Sequence, residues 1–400
     1  LPLLNRHDYW YLDIHGPEIV AERREGALIA RLKEWDDEQD TFYLIEFRNA
    51  DIFKEVDLTN YIPADILSKI QDINSDHYLI LENFHEGYNK LIPDLYTYVL
   101  EKYNIPPKKF VYYTGALDIQ FMLDDYVAEH GKTPFNLELM LEFEYTTWER
   151  YHLFTEHLKH EPMPNTLQHK NYDKKFLNFN RRWRPHRPLL VALLKATDLL
   201  DKGYVSLGKA DDDCNWQNQI NYIIETTRYH NKVFTMLWNK RYDILNLPDL
   251  YLDTQDLVTN RASIELNSSI RNLYENTYFS VISETNYFKN IEHANETSCF
   301  LSEKVFKAIL FKHPFILAST PNTLKYVRAL GYKTFSPLIN EDYDSIENDH
   351  ERMLAILKEI HRLSKLEGKA LITFLDFCKE VVEYNFNLLI NKDKFTYRIT

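Results

Sequence analysis

Short apolar runs and amphipathic helical runs alternate along this 400-residue chain, and the series starts twice. In the first half, TFYLIEF (41–47) and HYLILEN (77–83) read as strands. IPDLYTYVLEKYN (92–104) reads as a helix, closed by Ile105-Pro106-Pro107, and KFVYYTG (109–115) is a strand ending in a glycine. Strand, helix and strand at this spacing make a βαβ unit. Only a crossover connection returns the chain to the same end of a sheet, so the sheet is parallel. Residues 136–160 read as helical or mixed. The stretch 161–173, EPMPNTLQHKNYD, has two prolines and no hydrophobic period, and is the expected domain boundary.

The second series opens with the strand KKFLNFN (174–180), the basic loop RRWRPHR (181–187) and the helix PLLVALLKATDLL (188–200). Pro188 suits the first turn of that helix, where its missing N–H costs nothing. GYVSLG (203–208) and YFSVISE (278–284) are further strands, with 209–275 mixed helix between them. A helix from Ser302, the strand PFILAST (314–320), the helix NTLKYVRAL (322–330) and the short strand YKTF (332–335) follow. Helices over 345–366 and about 369–391 close the chain. A chain this long exceeds one hydrophobic core. The expectation is an α/β protein of two Rossmann-like domains facing across a cleft: 1–165, then 174–368, with 369–400 as a C-terminal helix and tail.

Charge and cysteine content narrow the function classes. The net charge of −13 disfavours a protein that grips a long nucleic-acid backbone or an anionic membrane face. Cys214, Cys299 and Cys378 are scattered and show no CxxC or Cys/His ligand spacing, so neither a disulfide framework nor a zinc site is expected. A reducing cytoplasmic location fits this pattern. No apolar run reaches the roughly 18 residues of a membrane span; Ile309–Leu317 is broken by Lys312, His313 and Pro314.

In open α/β sheets, ligands bind at the carboxyl ends of the strands. That rule marks the 181–187 loop, Glu284 and the start of the helix after Ser302. Arg181, Arg182, Arg184, His186 and Arg187 follow the first strand of the second half. Ser302 is a good N-cap, and Val305, Phe306, Ile309 and Leu310 share one helical face. Lys304 and Lys307 then sit where the helix dipole is already positive, a placement that costs roughly 0.3–1 kcal/mol when exposed. A bound diphosphate would answer that charge. Glu284 and Glu303 are acceptors for ribose or sugar hydroxyls.

The stretch from Tyr278 to Leu317, YFSVISETNYF…CFLSEKVFKAILFKHPFIL, resembles the donor-binding motif of the α1,3-fucosyltransferases. Glu284 falls on the first Glu of that motif, Ser302-Glu303-Lys304 on its Thr-Glu-Lys, and Pro314 on its proline. The stretch is also similar to glycosyltransferase-like proteins of large viruses and phages. The resemblance covers about forty residues closely. It implies a GT-B fold, no essential metal or other cofactor, an Arg and the Lys on the donor diphosphate, and a Glu on ribose. Thr285-Asn286 and Lys312-His313 depart from the pattern, so the donor stays open between GDP- and UDP-sugars.

On this reading the donor is held by Arg181, Arg182, Arg187, Glu284, Ser302, Glu303, Lys304 and Lys307. The first domain supplies the acceptor site and, for an inverting enzyme, a general base, with Glu82, Glu86 and Asp118 as candidates. The acceptor is a glycan or another hydroxyl compound; a modified base in DNA is the less favoured choice. Two alternatives stand beside it. One is a non-catalytic nucleotide- or glycan-binding protein of the same fold. The other is a metal-dependent GT-A-type transferase using Asp211 and Asp213.

Overall fold

The computed structural model describes residues 19–20, 31–36, 41–46, 57–60, 62–83, 91–157, 166–168, 170–180, 184–207, 227, 231–248, 250, 252, 268–288, 298–393 and 396–397. The chain forms two compact units. The first comprises 1–142, 290–300 and 393–400, and the second 143–289 and 301–392.

The first unit is built on a seven-stranded sheet ordered β1 (Ile19–Val20), β2 (Arg31–Asp36), β3 (Thr41–Glu46), β4 (His77–Asn83), β5 (Phe110–Thr114), β6 (Asn136–Met140) and β11 (Thr396–Tyr397). Strands β3 to β6 are parallel neighbours in chain order; β1, β2 and β11 add antiparallel edges. Right-handed crossovers between successive neighbours place every connecting helix on one face. The core agrees. Tyr43, Leu79, Leu81, Phe110 and Tyr112 pack with Leu67 and Ile70 of α1 (Ala64–Gln71), Leu95 of α2 (Ile92–Leu95) and Leu123 of α3 (Ile119–His130). Phe42, Leu44, Ile80, Val111, Tyr113 and Met140 form a separate cluster on the other face. The helix expected over 92–104 starts as α2 and continues as a π-helical stretch, Tyr96–Glu101.

The second unit holds a four-stranded, all-parallel sheet ordered β8 (Gly203–Val205), β7 (Phe176–Asn178), β9 (Phe279–Ser283) and β10 (Phe315–Ala318). The strand order reverses here: the chain steps from β7 to one side, then returns to β7's other side for β9. That makes a topological switch point between β7 and β9, the place where open α/β sheets bind ligands. Gly203 pairs with Phe176, whose ring lies 2.4 Å from where a Cβ on Gly203 would sit, so no larger residue fits there without repacking.

The switch point is surrounded by α5 (His186–Ala196), α9 (Glu303–Leu310) and α11 (Asp349–Leu363). Numbering follows the chain, with α4 (Glu142–His157), α6 (Asn231–Asn239), α7 (Arg241–Leu245), α8 (Ser268–Glu275), α10 (Thr323–Ala329) and α12 (Gly368–Ile390) as the rest. Helix α4 belongs to the second unit from Phe143 onward, so the division falls before the 161–173 stretch. Its side chains explain why. Glu144 is buried against Tyr332 and Lys392, and Trp148 donates to the Ile390 carbonyl at 3.2 Å.

Two expectations need correcting. Residues 136–160 contain a strand, β6, before helix α4. YKTF (332–335) is not a strand. The side-chain amide of Asn385 takes the place of a strand partner, accepting from Lys333 N–H and donating to Lys333 C=O, both at 2.8 Å. Among the described residues no helix is long and apolar enough to cross a membrane.

Asp344 gives this unit a specific pH dependence. Its carboxylate accepts from Leu324 N–H at the start of α10, and burial pushes its pKa up to about 6 despite that bond. The unfolded chain releases this proton near pH 4, so between the two values the folded state holds more protons and stability falls as pH rises. The stability difference between wild type and Asp344→Asn should shift by about 2 kcal/mol from pH 4.5 to pH 7, in the variant's favour at the higher pH. Urea unfolding of both proteins at the two pH values measures it, and a constant difference would refute it.

Candidate functional site

The carboxyl ends of β7 and β9 gather most of the expected donor-site residues that are described. Glu284 follows β9 and is fully buried. Its Oε1 accepts from Ser302 N–H at 3.0 Å; its Oε2 accepts from Ser302 Oγ at 2.6 Å and Thr285 N–H at 3.0 Å. Burial raises its pKa, opposed by the Lys304 charge and the Ser302 bonds. Glu284 therefore ties the end of β9 to the cap of α9.

Ser302 caps α9 as expected, its extended backbone turning into the helix while Oγ faces Lys304 N–H. The same oxygen accepts from Lys304 Nζ at 2.8 Å, and Nζ lies 3.1 Å from Glu303 Oε1. Burial acts to raise the Glu303 pKa, but the Lys304 and Arg187 charges and hydrogen bonding outweigh it, so the carboxylate is held below its ordinary value. Lys307 is buried, its ammonium 5.5 Å from the centre of the Phe179 ring just beyond β7. The two lysines at the helix start thus have local company: Lys304 a carboxylate and a hydroxyl, Lys307 an aromatic face.

Arg187 was expected in a loop. It lies inside the first turn of α5, buried, with Nη2 donating to the carbonyls of Ser283 (3.2 Å) and Glu284 (3.1 Å). Beside it His186 Nε2 is 2.9 Å from the same Glu284 carbonyl. A carbonyl only accepts, so Nε2 carries the proton. Burial and the Arg187 charge push the His186 pKa well down, and the ring is neutral at pH 7. It stacks on Tyr287 at 5.1 Å.

His313 has a structural role of its own. Its Nδ1 accepts from Ser280 Oγ at 2.7 Å and its Nε2 donates to Thr277 C=O at 3.0 Å, pinning the starts of β9 and β10 together. Burial lowers its pKa to about 4, so it stays neutral.

Asn178 and Asn180 were not among the sequence candidates, yet they form the polar floor of the switch point. Asn178 Nδ2 donates to Val281 C=O at 2.6 Å, and Asn180 Nδ2 donates to Asn178 Oδ1 at 2.6 Å. Both side chains are fully buried. The available signal was FLNFN itself: two asparagines two apart at a strand's end share a face.

In the first unit, Glu82 lies within β4. It is buried on the face opposite the helices, in register with Glu46 on one side and Tyr113 on the other. Asp118 precedes α3 and accepts from Cys299 N–H at 3.1 Å, while Leu117 N–H donates to Cys299 C=O at 2.8 Å. Asp118 thus holds the 298–300 segment in place. Glu86, Arg181, Arg182, Asp211 and Asp213 lie outside the described residues.

A cleft of about 580 Å³ lies at the amino ends of β7 and β8, lined by Lys174, Lys175, Lys202 and Lys365 with Asp173, Asp201 and Glu367. It is at the wrong end of the sheet for a switch-point ligand, and its lysines are interleaved with acids. The strand reversal selects the carboxyl end.

No family model and no curated protein matches the chain. Among solved structures it is similar to the trehalose-6-phosphate phosphatase N-terminal domain of Candida albicans, at 12% identity and a TM-score of 0.32, over 81% of this chain and 70% of that one. A likeness at that level carries no functional argument.

Proposed function

We propose that the chain is a glycosyltransferase of the GT-B type, moving a sugar from a GDP- or UDP-sugar to a glycan or another hydroxyl acceptor without a metal. The observation that carries this reading is the strand reversal between β7 and β9, with Arg187, Glu284, Ser302, Glu303 and Lys304 drawn together at its carboxyl side. Lys304 and the N–H groups at the start of α9 are the groups to meet a diphosphate, whose charge grows as the sugar leaves. Neutral His186 and buried Arg187 brace the Glu284 backbone beneath them. Glu82, Glu86 and Asp118 remain the candidate bases on the acceptor side.

A second reading, a nucleotide- or glycan-binding protein without catalysis, gains from Asp118's engagement with the Cys299 backbone, since a base must be free to take a proton. Modified DNA as acceptor remains disfavoured by the net charge of −13.

The test is a thermal-shift panel of UDP, GDP, dTDP and CMP, each with Mn²⁺ and with EDTA. A ligand at 100-fold excess over its Kd stabilises the folded state by about 2.7 kcal/mol. One nucleoside diphosphate should raise the melting temperature in EDTA. A shift confined to Mn²⁺ would transfer the proposal to Asp211 and Asp213, and no shift with any nucleotide would refute it. Turnover of the matching sugar donor then separates enzyme from binder.

A further inference from the structure

The two asparagines at the carboxyl end of β7, Asn178 in the strand and Asn180 just past it, are oriented by their surroundings, and the orientation leaves one acceptor over. The Val281 carbonyl can only accept, so it fixes Asn178 with Nδ2 toward β9, where that nitrogen also meets Ser283 Oγ at 3.2 Å. Asn178 Oδ1 must then face Asn180. It takes a hydrogen bond from Asn180 Nδ2, which donates as well to Ser206 C=O at 3.0 Å. Asn180 N–H donates to Ser206 Oγ at 3.1 Å, so the backbone is held too. Neither amide can be turned over without setting oxygen against oxygen. The chain of bonds ends at Asn180 Oδ1, which is buried and has no hydrogen-bond partner among the described residues.

A buried acceptor without a donor is costly, and such groups in native proteins call for an explanation. This one sits at the carboxyl end of β7, on the switch point. The other acceptors there are already engaged: both oxygens of Glu284 with Ser302 and Thr285, and Glu303 with Lys304. Resting on the nucleotide-sugar reading above, we infer that Asn180 Oδ1 is the acceptor for a ribose hydroxyl of the bound nucleotide, the role the sequence pattern assigned to a glutamate. Oδ1 is buried, so the bond forms only when its neighbours give way to the ligand. Asn178 and Ser206 are the positioning residues that keep the oxygen, rather than the nitrogen, turned to the ligand.

The experiment compares the Kd of GDP and UDP with those of their 2′-deoxy and 3′-deoxy forms, on wild type and on Asn180→Ala, by calorimetry in EDTA. Wild type should bind the better ribonucleotide about three- to tenfold more tightly than one of its deoxy forms, the range expected for one hydrogen bond. Asn180→Ala should bind both alike. Unequal binding that survives in Asn180→Ala would overturn the assignment to Asn180 and leave the nucleotide-binding reading intact. Equal binding of all three forms by wild type would overturn it as well, and needs no variant to fold. Failure of wild type to bind any nucleoside diphosphate would overturn both readings together.

Discussion

Arg352→Ala should cost the protein about 3–5 kcal/mol of stability, more than any other single truncation near the switch point. Arg352 is 1% exposed, and its guanidinium donates to four backbone carbonyls in three loops. Nε meets Ser319 C=O at 3.1 Å, beyond β10. Nη1 meets Ile346 C=O at 2.7 Å and Glu347 C=O at 3.3 Å, before α11. Nη2 meets Tyr287 C=O at 2.7 Å, beyond β9, and Asp349 Oδ1 at 2.5 Å. Loops running off the ends of parallel strands have no ladder partners, and this one side chain supplies donors to several at once. Truncation leaves the buried Ser319 and Tyr287 carbonyls without this donor, removes one partner of Asp349 and opens a cavity. Arg352→Lys should recover only part of the loss, because an ammonium has three donors and no planar fork. Urea unfolding with an unchanged m-value measures both, and a loss under 1 kcal/mol for the alanine variant would sink the argument. The effect should reach the site as well. The guanidinium lies 4.4 Å from the centre of the Tyr287 ring, and that ring stacks on His186, which holds the Glu284 carbonyl.

How much of this was legible beforehand depended on how local the cause was. Strand β4 matched HYLILEN residue for residue, and Ser302 capped its helix as its side chain and the following apolar face imply. Those signals rest on a few neighbouring residues. β6 was missed because NLELM carries Glu138 in the middle of a short run, and the burial of that glutamate is decided by the sheet, not by the segment. YKTF looked like a strand on composition, but Asn385, fifty-two residues away, satisfies the backbone of Lys333 instead. Arg187 carried charge in the sequence and so was placed in the loop, whereas carbonyls at the end of β9 allow it to be buried. The asparagine relay was the least legible feature. Its meaning lies in which end of each amide faces which neighbour, and orientation leaves no trace in residue type.

Lys304→Ala should leave the fold standing and cut sugar transfer by about 10²–10³-fold, the scale of losing one preorganised group aimed at developing charge. The structural part of the expectation follows from its contacts. Nζ bonds Ser302 Oγ and Glu303 Oε1, and the side chain is 18% exposed, so truncation removes two polar contacts at a partly wetted site. Ser302 still holds Glu284 through Oγ and N–H. The electrostatic part is larger. Glu303 is held in its charged form chiefly by Lys304, so its pKa should rise in the variant, and a wild-type Glu303 contribution present above pH 4.5 and fading below it should shrink. At the site, two carboxylates would face an incoming diphosphate with Arg187 engaged on backbone carbonyls and Lys307, buried against Phe179, the ammonium left at the helix start. Repulsion then replaces attraction where the leaving charge develops. Lys304→Arg should keep part of the activity, because it keeps the charge but replaces the compact ammonium on Ser302 Oγ with a bulkier planar group. Donor consumption measured beside the melting temperature decides between the outcomes. A folded Lys304→Ala enzyme with near-normal turnover would remove Lys304 from the diphosphate site and leave it as a surface cation held by Glu303.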